Sequence, residues 1–256
     1  MEIRLKTDNL DDYRLFLKVK QLPTYSIRGR VATFPDEYAK TLGIKAKRRR
    51  FINWEPSEFL FDYQKEILKT SIEKRKYAVF ADCGLGKTLI QIEFAQAAMQ
   101  QLRRQNKGFL IVAPLMVVSQ TIDECAKYYP GMDLEYVPAN GLQEWLDDCG
   151  GRIGITNYEA IREHLRQGRL GGLLLDESSM LKSHYGKWGT RLLKLGEGLN
   201  WKQCGTGTPA PNDRIEYANH AVFLDAFSNV NAFLATYFIN RGQTQDRWSL
   251  KDHALR

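Results

Sequence analysis

The chain has 256 residues, of which 43% are hydrophobic, and it carries a net charge of +7 at pH 7. This length and composition allow one large α/β domain with or without an appendage, and they exclude a chain too polar to form a core. No apolar run approaches the ~18 residues of a membrane helix. The first six residues contain no apolar signal segment, so we expect neither secretion nor a membrane partner.

The four cysteines and four histidines are scattered along the chain. The cysteines are Cys83, Cys125, Cys149 and Cys204, and no two of them have the C-x-x-C spacing of a metal or redox motif. We therefore expect a reducing compartment, and neither a disulfide framework nor a zinc site.

The first 55 residues are predicted to form a basic accessory segment. In chain order we expect a helix over 9–20 behind an Asp8 cap, a strand or hairpin over 24–34 with a bulge or turn at Gly29, and a short helix from Pro35 to Gly43. Residues 1–76 carry 18 Lys and Arg against 11 Asp and Glu, which accounts for the whole net charge. Five of these charges form one run: Lys45, Lys47, Arg48, Arg49 and Arg50. Such a run is either a solvated loop or a patch that follows a nucleic-acid backbone, and the sequence leaves both open.

A helix capped by Ser57 is predicted over 57–76. It carries Tyr63 and Gln64 shortly before the most informative segment of the chain. A glutamine amide offers both a donor and an acceptor, which suits the two edge atoms of adenine.

Residues 81–88, with the sequence ADCGLGKT, are predicted to be a phosphate-binding loop between a strand over 77–80 and a helix that begins near Lys87. Two glycines allow the tight turn that points backbone N–H groups at phosphate oxygens. Lys87 can reach the β- and γ-phosphates, and the Thr88 hydroxyl can ligate Mg²⁺. The residues assigned to the nucleotide are Gln64, Gly84, Leu85, Gly86, Lys87 and Thr88. The helix should be amphipathic, with Ile90, Phe94, Ala97 and Ala98 on its buried face.

The rest of the chain alternates strands and helices. Strands are expected at 109–113, 134–137, 153–156, 173–175 and 202–204, with helices at 117–129 and 142–149, another that reaches Gln167, and one more before residue 202. This alternation of buried-type strands with helices predicts a parallel sheet covered on both faces. Functional loops should then lie at the carboxyl ends of the strands.

Asp176 and Glu177 follow the apolar strand at 173–175 and are the expected partners of the phosphate loop. One carboxylate must hold Mg²⁺, and a second must orient or deprotonate the attacking water. We assign Asp176 to the metal and Glu177 to the base.

Together these motifs resemble the first motor lobe of superfamily 2 helicases, and most closely Swi/Snf-like translocases, including a compact branch common in phages. The similar segments are Tyr63 with Gln64 and then residues 81–88, 112–118, 156–159, 176–183 and 207–212. Ala81 stands where the generic loop has its first glycine, as in the A-x-x-G-x-G-K-T form of helicases. Ser179 replaces the His or Asp that usually closes the Asp-Glu box, whereas Lys182 occupies the family's lysine position.

The resemblance implies ATP, Mg²⁺ and DNA as ligands, with RNA not excluded, and a cytoplasmic location in a bacterial or phage-infected cell. It implies that Pro114, Ser119, Thr156 and Asn157 face the sugar-phosphate backbone, and that Thr206 and Thr208 couple the nucleotide state to the grip on DNA. It also implies a second RecA-like lobe, in cis or in trans, which supplies an arginine to the ATP site. We find no such arginine motif before Arg256. Arg214 follows Asn212 too closely to reach the ATP site, and Arg241 and Arg247 lie in no recognisable finger motif.

We therefore predict an α/β fold with a three-layer parallel sheet, the RecA-like P-loop lobe, over 56–212, between the segment 1–55 and a helical extension over 213–256 that leads to a missing second lobe. The functional hypothesis is the motor lobe of a DNA-dependent ATPase, helicase or translocase. Its catalytic residues would be Glu177, Asp176 and Lys87, and the isolated chain would hydrolyse ATP poorly. One alternative is a natural half-helicase that acts as an ATP-gated binding or regulatory protein without efficient hydrolysis. Another is a small-molecule kinase, which the order of the motifs argues against.

Overall fold

The computed structural model describes residues 2–4, 6, 9–22, 25–34, 36–44, 52–181, 186–240, 242 and 248–251. Contacts between Cα atoms divide the chain into two compact units. The smaller unit combines Met1–Arg50 with Asp225–Arg256, and the larger unit is Phe51–Leu224. The predicted basic run (Lys45, Lys47, Arg48, Arg49 and Arg50) lies outside the described residues, as do Lys182, Arg241 and Arg247.

The smaller unit begins with a three-stranded antiparallel sheet and one helix. Its elements are β1 (Glu2–Arg4), α1 (Leu10–Lys20), β2 (Ser26–Arg28), β3 (Val31–Thr33) and a 3₁₀ turn at Asp36–Ala39, and the strand order is β1-β3-β2. Of the two alternatives for residues 24–34, the structure shows the hairpin, and Gly29 lies in its turn with a φ of 59°. The cap of α1 differs from the prediction, because the Asn9 side chain accepts the Asp11 N–H and takes the place assigned to Asp8.

The larger unit is built on a six-stranded parallel sheet with the order β4-β9-β8-β5-β7-β6. Its strands are β4 (Lys76–Phe80), β5 (Gly108–Ala113), β6 (Leu134–Tyr136), β7 (Ile153–Asn157), β8 (Leu170–Asp176) and β9 (Trp201–Thr206). Every residue of β5, β7 and β9 is buried, as is typical of a parallel sheet covered on both faces.

Helices cover both faces of this sheet. They are α2 (Asp62–Lys74), α3 (Lys87–Leu102), α4 (Leu115–Tyr128), α5 (Leu142–Asp147), α6 (Lys187–Gly196) and α7 (Tyr217–Phe223), with 3₁₀ turns at Arg103–Gln105, Tyr158–Ala160, Ser178–Leu181 and Arg214–Glu216. The side chains of β5 alternate between two cores: Phe109 and Ile111 pack with α2, α3 and α4, whereas Leu110 and Val112 pack with α5, α6 and α7. The predicted three-layer α/β fold is confirmed.

Helix α3 is buried almost all round, so the predicted amphipathic pattern is wrong. Its buried residues include Gln91, Ile92, Glu93 and Ala95 as well as the four expected positions. The reason is its place in the layer, because α3 packs against the sheet and against both α2 and α4. The buried Glu93 carboxylate accepts from the Trp54 indole (3.1 Å) and the Tyr129 hydroxyl (3.0 Å).

Two helix boundaries also differ from the predictions. Helix α2 begins at Asp62 and not near Ser57, because the Gln64 side chain accepts the Phe61 N–H (2.9 Å) and closes the first turn there. The helix expected to reach Gln167 is only the turn Tyr158–Ala160, where the Asn157 side chain accepts the Ala160 N–H and Ile161 is already extended.

The chain ends in α8 (Val230–Tyr237) and an antiparallel pair, β10 (Phe238–Asn240) and β11 (Trp248–Leu250). Part of the segment predicted to be helical is therefore a strand pair. The rings of Phe227, Phe233 and Tyr237 meet edge to face around α8, with centroids 5.2–5.7 Å apart. Among the described residues, no helix combines the length and the apolar character needed to cross a membrane.

Candidate nucleotide site

Three neighbouring strands bring the predicted site residues to one edge of the sheet. The phosphate loop follows β4, Asp176 ends β8 with Glu177 directly after it, and Thr206 ends β9 with Thr208 two residues further on. Strand β9 lies between β4 and β8. The ends of β4 and β8 are therefore roughly 10 Å apart, two inter-strand spacings. This separation suits a group that contacts the loop on one side and the carboxylates on the other.

The phosphate loop has the backbone geometry that its glycines predict. Gly84 and Gly86 have φ of 81° and 65°, and Gly86 caps the N-terminus of α3. A side chain at Gly86 would also collide with the Gln64 amide, so both the conformation and the space require glycine. The Lys87 ammonium donates to the carbonyls of Ala81 (2.9 Å) and Asp82 (3.1 Å), which holds it inside the loop at the positive end of α3.

Gln64 lies behind the loop and is only 2% exposed. Its amide donates to the Leu85 carbonyl (3.2 Å), and its side-chain oxygen accepts the Phe61 N–H. The Tyr63 hydroxyl donates to the same Leu85 carbonyl (3.2 Å). Because both ends of the Gln64 amide are already bonded to the backbone, the structure favours support of the loop, and adenine recognition by Gln64 stays a prediction.

Asp176 is connected to the phosphate-loop helix through Gln91. The Gln91 amide donates to Asp176 Oδ1 (2.8 Å) across 85 residues of sequence. Burial raises the pKa of Asp176 above its usual range, and the Gln91 hydrogen bond opposes that rise. Sequence reasoning missed Gln91, although a polar side chain one turn after Lys87 on a helix rich in apolar residues was a usable signal.

Glu177 has an unusual backbone conformation and a well-defined side-chain position. Its φ is 48°, in the left-handed region that few non-glycine residues adopt. Its Oε1 accepts hydrogen bonds from Ser179 Oγ (2.6 Å) and Thr206 Oγ1 (2.7 Å). The Thr208 N–H donates to Thr206 Oγ1 (3.0 Å), so Thr206 contacts the proposed base directly and Thr208 is linked to it through Thr206. Ser179, the departure noted in the sequence, helps to orient Glu177.

The residues at the two loops fit a bound Mg²⁺. Thr88 and Asp176 offer hydroxyl and carboxylate oxygens, the hard ligands that this ion prefers. No group of three or more His, Cys, Asp or Glu in the described ranges is placed to hold a metal alone. A small number of protein ligands is typical of Mg²⁺ that binds together with a nucleotide and keeps phosphate and water ligands.

A buried histidine supports the acidic turn from α7, and sequence reasoning missed it. His220 is 2% exposed, and its Nε2 lies 3.1 Å from the hydroxyl of Ser178, the residue after Glu177. Its Nδ1 lies 3.3 Å from the Glu216 carbonyl, which can only accept, so Nδ1 carries the proton and Nε2 accepts from Ser178. Burial lowers the pKa of His220 below its ordinary value of 6.5, so the ring is neutral at pH 7.

This neutral His220 predicts a loss of stability in acid. Because its pKa is lower in the folded state, the unfolded chain binds a proton that the folded chain does not as the pH falls below about 6.5. The free energy of unfolding should then drop by up to about 1.4 kcal/mol per pH unit from this group. Urea unfolding between pH 7.5 and 5.5 should show a smaller drop for His220→Gln than for the exposed control His164→Gln. Equal decreases in the free energy of unfolding of both variants would contradict the lowered pKa of His220 in the folded state.

A model of the SNF2-related domain matches residues 63–252, well over half of the chain and all of the site just described. The chain belongs to this family. The Arabidopsis thaliana chromatin-remodeling ATPase INO80 is 28% identical over 179 residues, which is 61% of this chain and 12% of that protein. SNF2-related membership argues against the small-molecule kinase hypothesis.

Two solved structures of an SNF2-type core share the fold. The Sulfolobus solfataricus SWI2/SNF2 ATPase core in complex with dsDNA has a TM-score of 0.59 and 20% identity, over 72% of this chain and 40% of that chain. The S. solfataricus SWI2/SNF2 ATPase core domain has a TM-score of 0.56 and 20% identity, over 76% and 41%. This SNF2-related chain thus spans about two fifths of those structures and a much smaller part of INO80.

The positions predicted to face a nucleic-acid backbone differ in exposure. Thr156 is fully buried, and its hydroxyl donates to the Val137 carbonyl (2.7 Å), so its side chain is not on the surface of this SNF2-related lobe. Asn157 is largely buried and caps the turn after β7. Pro114 is half-buried at the start of α4, and Ser119 is exposed one turn further on.

Proposed function

We propose that this chain is the ATP-binding motor lobe of a DNA-dependent ATPase of the translocase or helicase type, which needs a second lobe for efficient hydrolysis. The observation that carries the proposal is the connection of the phosphate loop to the acidic turn. Helix α3, which begins in the loop, reaches Asp176 through Gln91, and the end of β9 reaches Glu177 through Thr206. A loop and a base that are connected in this way can respond to the same nucleotide.

Each residue has a role that follows from its position. Lys87 and the loop N–H groups would bind the β- and γ-phosphates, and Thr88 with Asp176 would hold Mg²⁺. When bound, Mg²⁺ supplies neutralisation of the phosphate charge. Glu177, oriented by Ser179 and Thr206, would orient the attacking water and accept its proton.

Lys87→Ala should weaken binding of ATP·Mg²⁺ by at least about tenfold, because it removes a charge-assisted contact to the phosphates. A titration with a fluorescent ATP analogue measures this directly. Lys194→Ala, which removes an exposed lysine from α6, is the control and should bind like the wild type. Equal affinities for Lys87→Ala and the wild type would refute the nucleotide site.

DNA is the proposed second ligand, and family membership together with the basic N-terminal segment supports it. Replacing Lys45, Lys47, Arg48, Arg49 and Arg50 by Gln should reduce the slope of log K against log salt by about 4 if all five contact phosphates. Replacing the exposed Arg103 and Arg104, just before β5, is the control and should leave the slope nearly unchanged. A wild-type slope in the five-residue variant would show that the run is a solvated loop.

An ATP-gated binding protein without hydrolysis is the other candidate. A protein of this kind would need the phosphate loop to bind ATP, but it would not need Glu177 as a general base. The two hydroxyl groups that converge on Glu177 Oε1, and its left-handed backbone, favour a positioned base over an idle carboxylate. ATPase assays on this chain and on a longer parent, with and without DNA, separate the two candidates.

A further inference from the structure

The peptide between Asp176 and Glu177 is held by a residue to which the proposed function gives no role. The hydroxyl of Tyr158 donates to the carbonyl of Asp176 (2.7 Å), an oxygen that can only accept. Tyr158 is fully buried, and its side chain is among the largest of the fully buried ones. Asp176 is therefore held at two points, because Gln91 bonds to its carboxylate from α3 and Tyr158 bonds to its carbonyl from the turn after β7.

We propose that Tyr158 is a positioning residue of the ATP site, which orients the metal ligand Asp176 and the base Glu177 together through the peptide that joins them. The inference rests on the proposed function. A peptide unit is planar and contains the Cα atoms of both residues that it joins. A hydrogen bond to its oxygen therefore fixes the plane from which both side chains extend.

The backbone of Glu177 makes this hydrogen bond important. Its φ of 48° lies in the left-handed region, which is unfavourable for a residue with a Cβ atom and persists only where neighbouring groups hold it. Ser179 and Thr206 hold the carboxylate end of Glu177, and Tyr158 holds the peptide on its N-terminal side. Without the Tyr158 hydroxyl, this peptide could rotate toward a more favourable φ, and the direction of Asp176 would change with it.

Tyr158 is itself fixed at its backbone and at its ring. The Asn157 side chain accepts the Ala160 N–H (2.9 Å) and closes the turn that Tyr158 begins. The Tyr158 ring meets the Trp188 ring of α6 edge to face, with the centroids 6.4 Å apart. A side chain held in this way can impose its position on the Asp176 carbonyl.

The hydrogen bond also joins two parts of the sheet that are not neighbours. Strand β5 lies between β7 and β8, so the turn after β7 and the end of β8 are two inter-strand spacings apart, roughly 10 Å. Tyr158 belongs to residues 156–159, the segment similar to the one that is expected to face a nucleic-acid backbone in the family. Through Tyr158, this segment is one hydrogen bond away from the proposed metal ligand.

The test measures the affinity of the full chain for a fluorescent ATP analogue in Mg²⁺ and in EDTA. Tyr158→Phe removes one oxygen and keeps the ring. It should reduce the gain in affinity that Mg²⁺ provides by about three- to tenfold, the usual effect of one lost hydrogen bond, because Asp176 is no longer held toward the metal. Its affinity in EDTA should stay within about twofold of the wild type, because Lys87 and the loop are unchanged. Asp176→Asn should reduce the gain further, since it alters the metal ligand itself.

Tyr129→Phe is the matched control. Tyr129 is also buried in the larger unit, but its hydroxyl donates to the Glu93 carboxylate (3.0 Å) and not to the acidic turn. Urea unfolding should show that both variants fold and that both are less stable than the wild type, because each loses a buried hydrogen bond. Only Tyr158→Phe should change the Mg²⁺-dependent gain in affinity.

The outcomes separate this inference from the proposed function. A wild-type gain from Mg²⁺ in Tyr158→Phe would overturn the positioning role and leave the nucleotide site standing. An equal loss of affinity in Mg²⁺ and in EDTA, or the same reduced gain in Tyr129→Phe, would also overturn it, because a purely structural role gives these results. If the wild type does not bind the analogue, or gains nothing from Mg²⁺, the proposed nucleotide site itself fails and the role of Tyr158 fails with it.

Discussion

The 256-residue chain should bind ATP but hydrolyse it very slowly, and DNA should not rescue the rate. The transferred phosphoryl group develops negative charge that Lys87 and a bound Mg²⁺ neutralise only in part. In the motors that this lobe resembles, an arginine of the second lobe supplies the rest, and a finger of that kind contributes about 10³–10⁵ in rate. The described residues contain one RecA-like sheet. Among these residues, Arg214 follows β9 in the sequence and its side chain is exposed.

Steady-state assays should show this deficit and its reversal. Turnover by the chain alone, with and without DNA, is compared with turnover after a second lobe is supplied in trans or in a longer chain. We expect an increase of at least about 10³-fold in the second case. DNA-stimulated turnover of about 1 s⁻¹ or faster by the chain alone, within the ordinary enzyme range, would contradict the proposed need for a second lobe. An arginine of this chain or of a second copy would then have to complete the site.

Glu177→Gln should abolish most of the hydrolysis that the second lobe restores, with a decrease of about 10²–10⁴-fold, the usual contribution of a general base. Glutamine preserves the shape of the side chain and can still accept from Ser179 and Thr206, but it cannot take a proton from water. Binding of ATP should therefore stay within a factor of about two, because Glu177 is proposed to contact the water and not the phosphates.

Parallel measurements of kcat and nucleotide affinity test the role of Glu177. Glu197→Gln, an exposed position after α6, is the matched control and should retain full activity. A Glu177→Gln variant that hydrolyses ATP normally would remove the base assignment. Loss of ATP binding would show instead that Glu177 holds the structure of the site.

The parts of the site that depend on local chemistry were predictable from the sequence. The phosphate loop is predictable from Gly84, Gly86 and Lys87, because the residues that supply the turn, the backbone donors and the cation are contiguous in the chain. The acidic pair Asp176 and Glu177 was predictable because it lies at the carboxyl end of an apolar strand. The parallel sheet followed from the alternation of strands and helices, which the six-stranded order confirms.

The unpredicted features depend on which strands become neighbours. One is the hydrogen bond from Gln91 to Asp176, which joins residues 85 positions apart. Another is the hydrogen bond from Thr206 to Glu177, which joins residues 29 positions apart. Both form because β9 lies between β4 and β8 in the sheet. Thr156 is buried because β7 lies between β5 and β6, which its sequence does not reveal. The burial of α3 on several sides likewise follows from its neighbours α2 and α4 and not from its own pattern.

A crystal structure of this chain with Mg²⁺ and a non-hydrolysable ATP analogue would test the proposed nucleotide site most directly. We expect the β- and γ-phosphates against the loop at 84–88, with Lys87 turned from the Ala81 and Asp82 carbonyls to the phosphates, and the metal between Thr88 and Asp176. A nucleotide bound elsewhere, or a phosphate chain that does not contact Lys87, would contradict it.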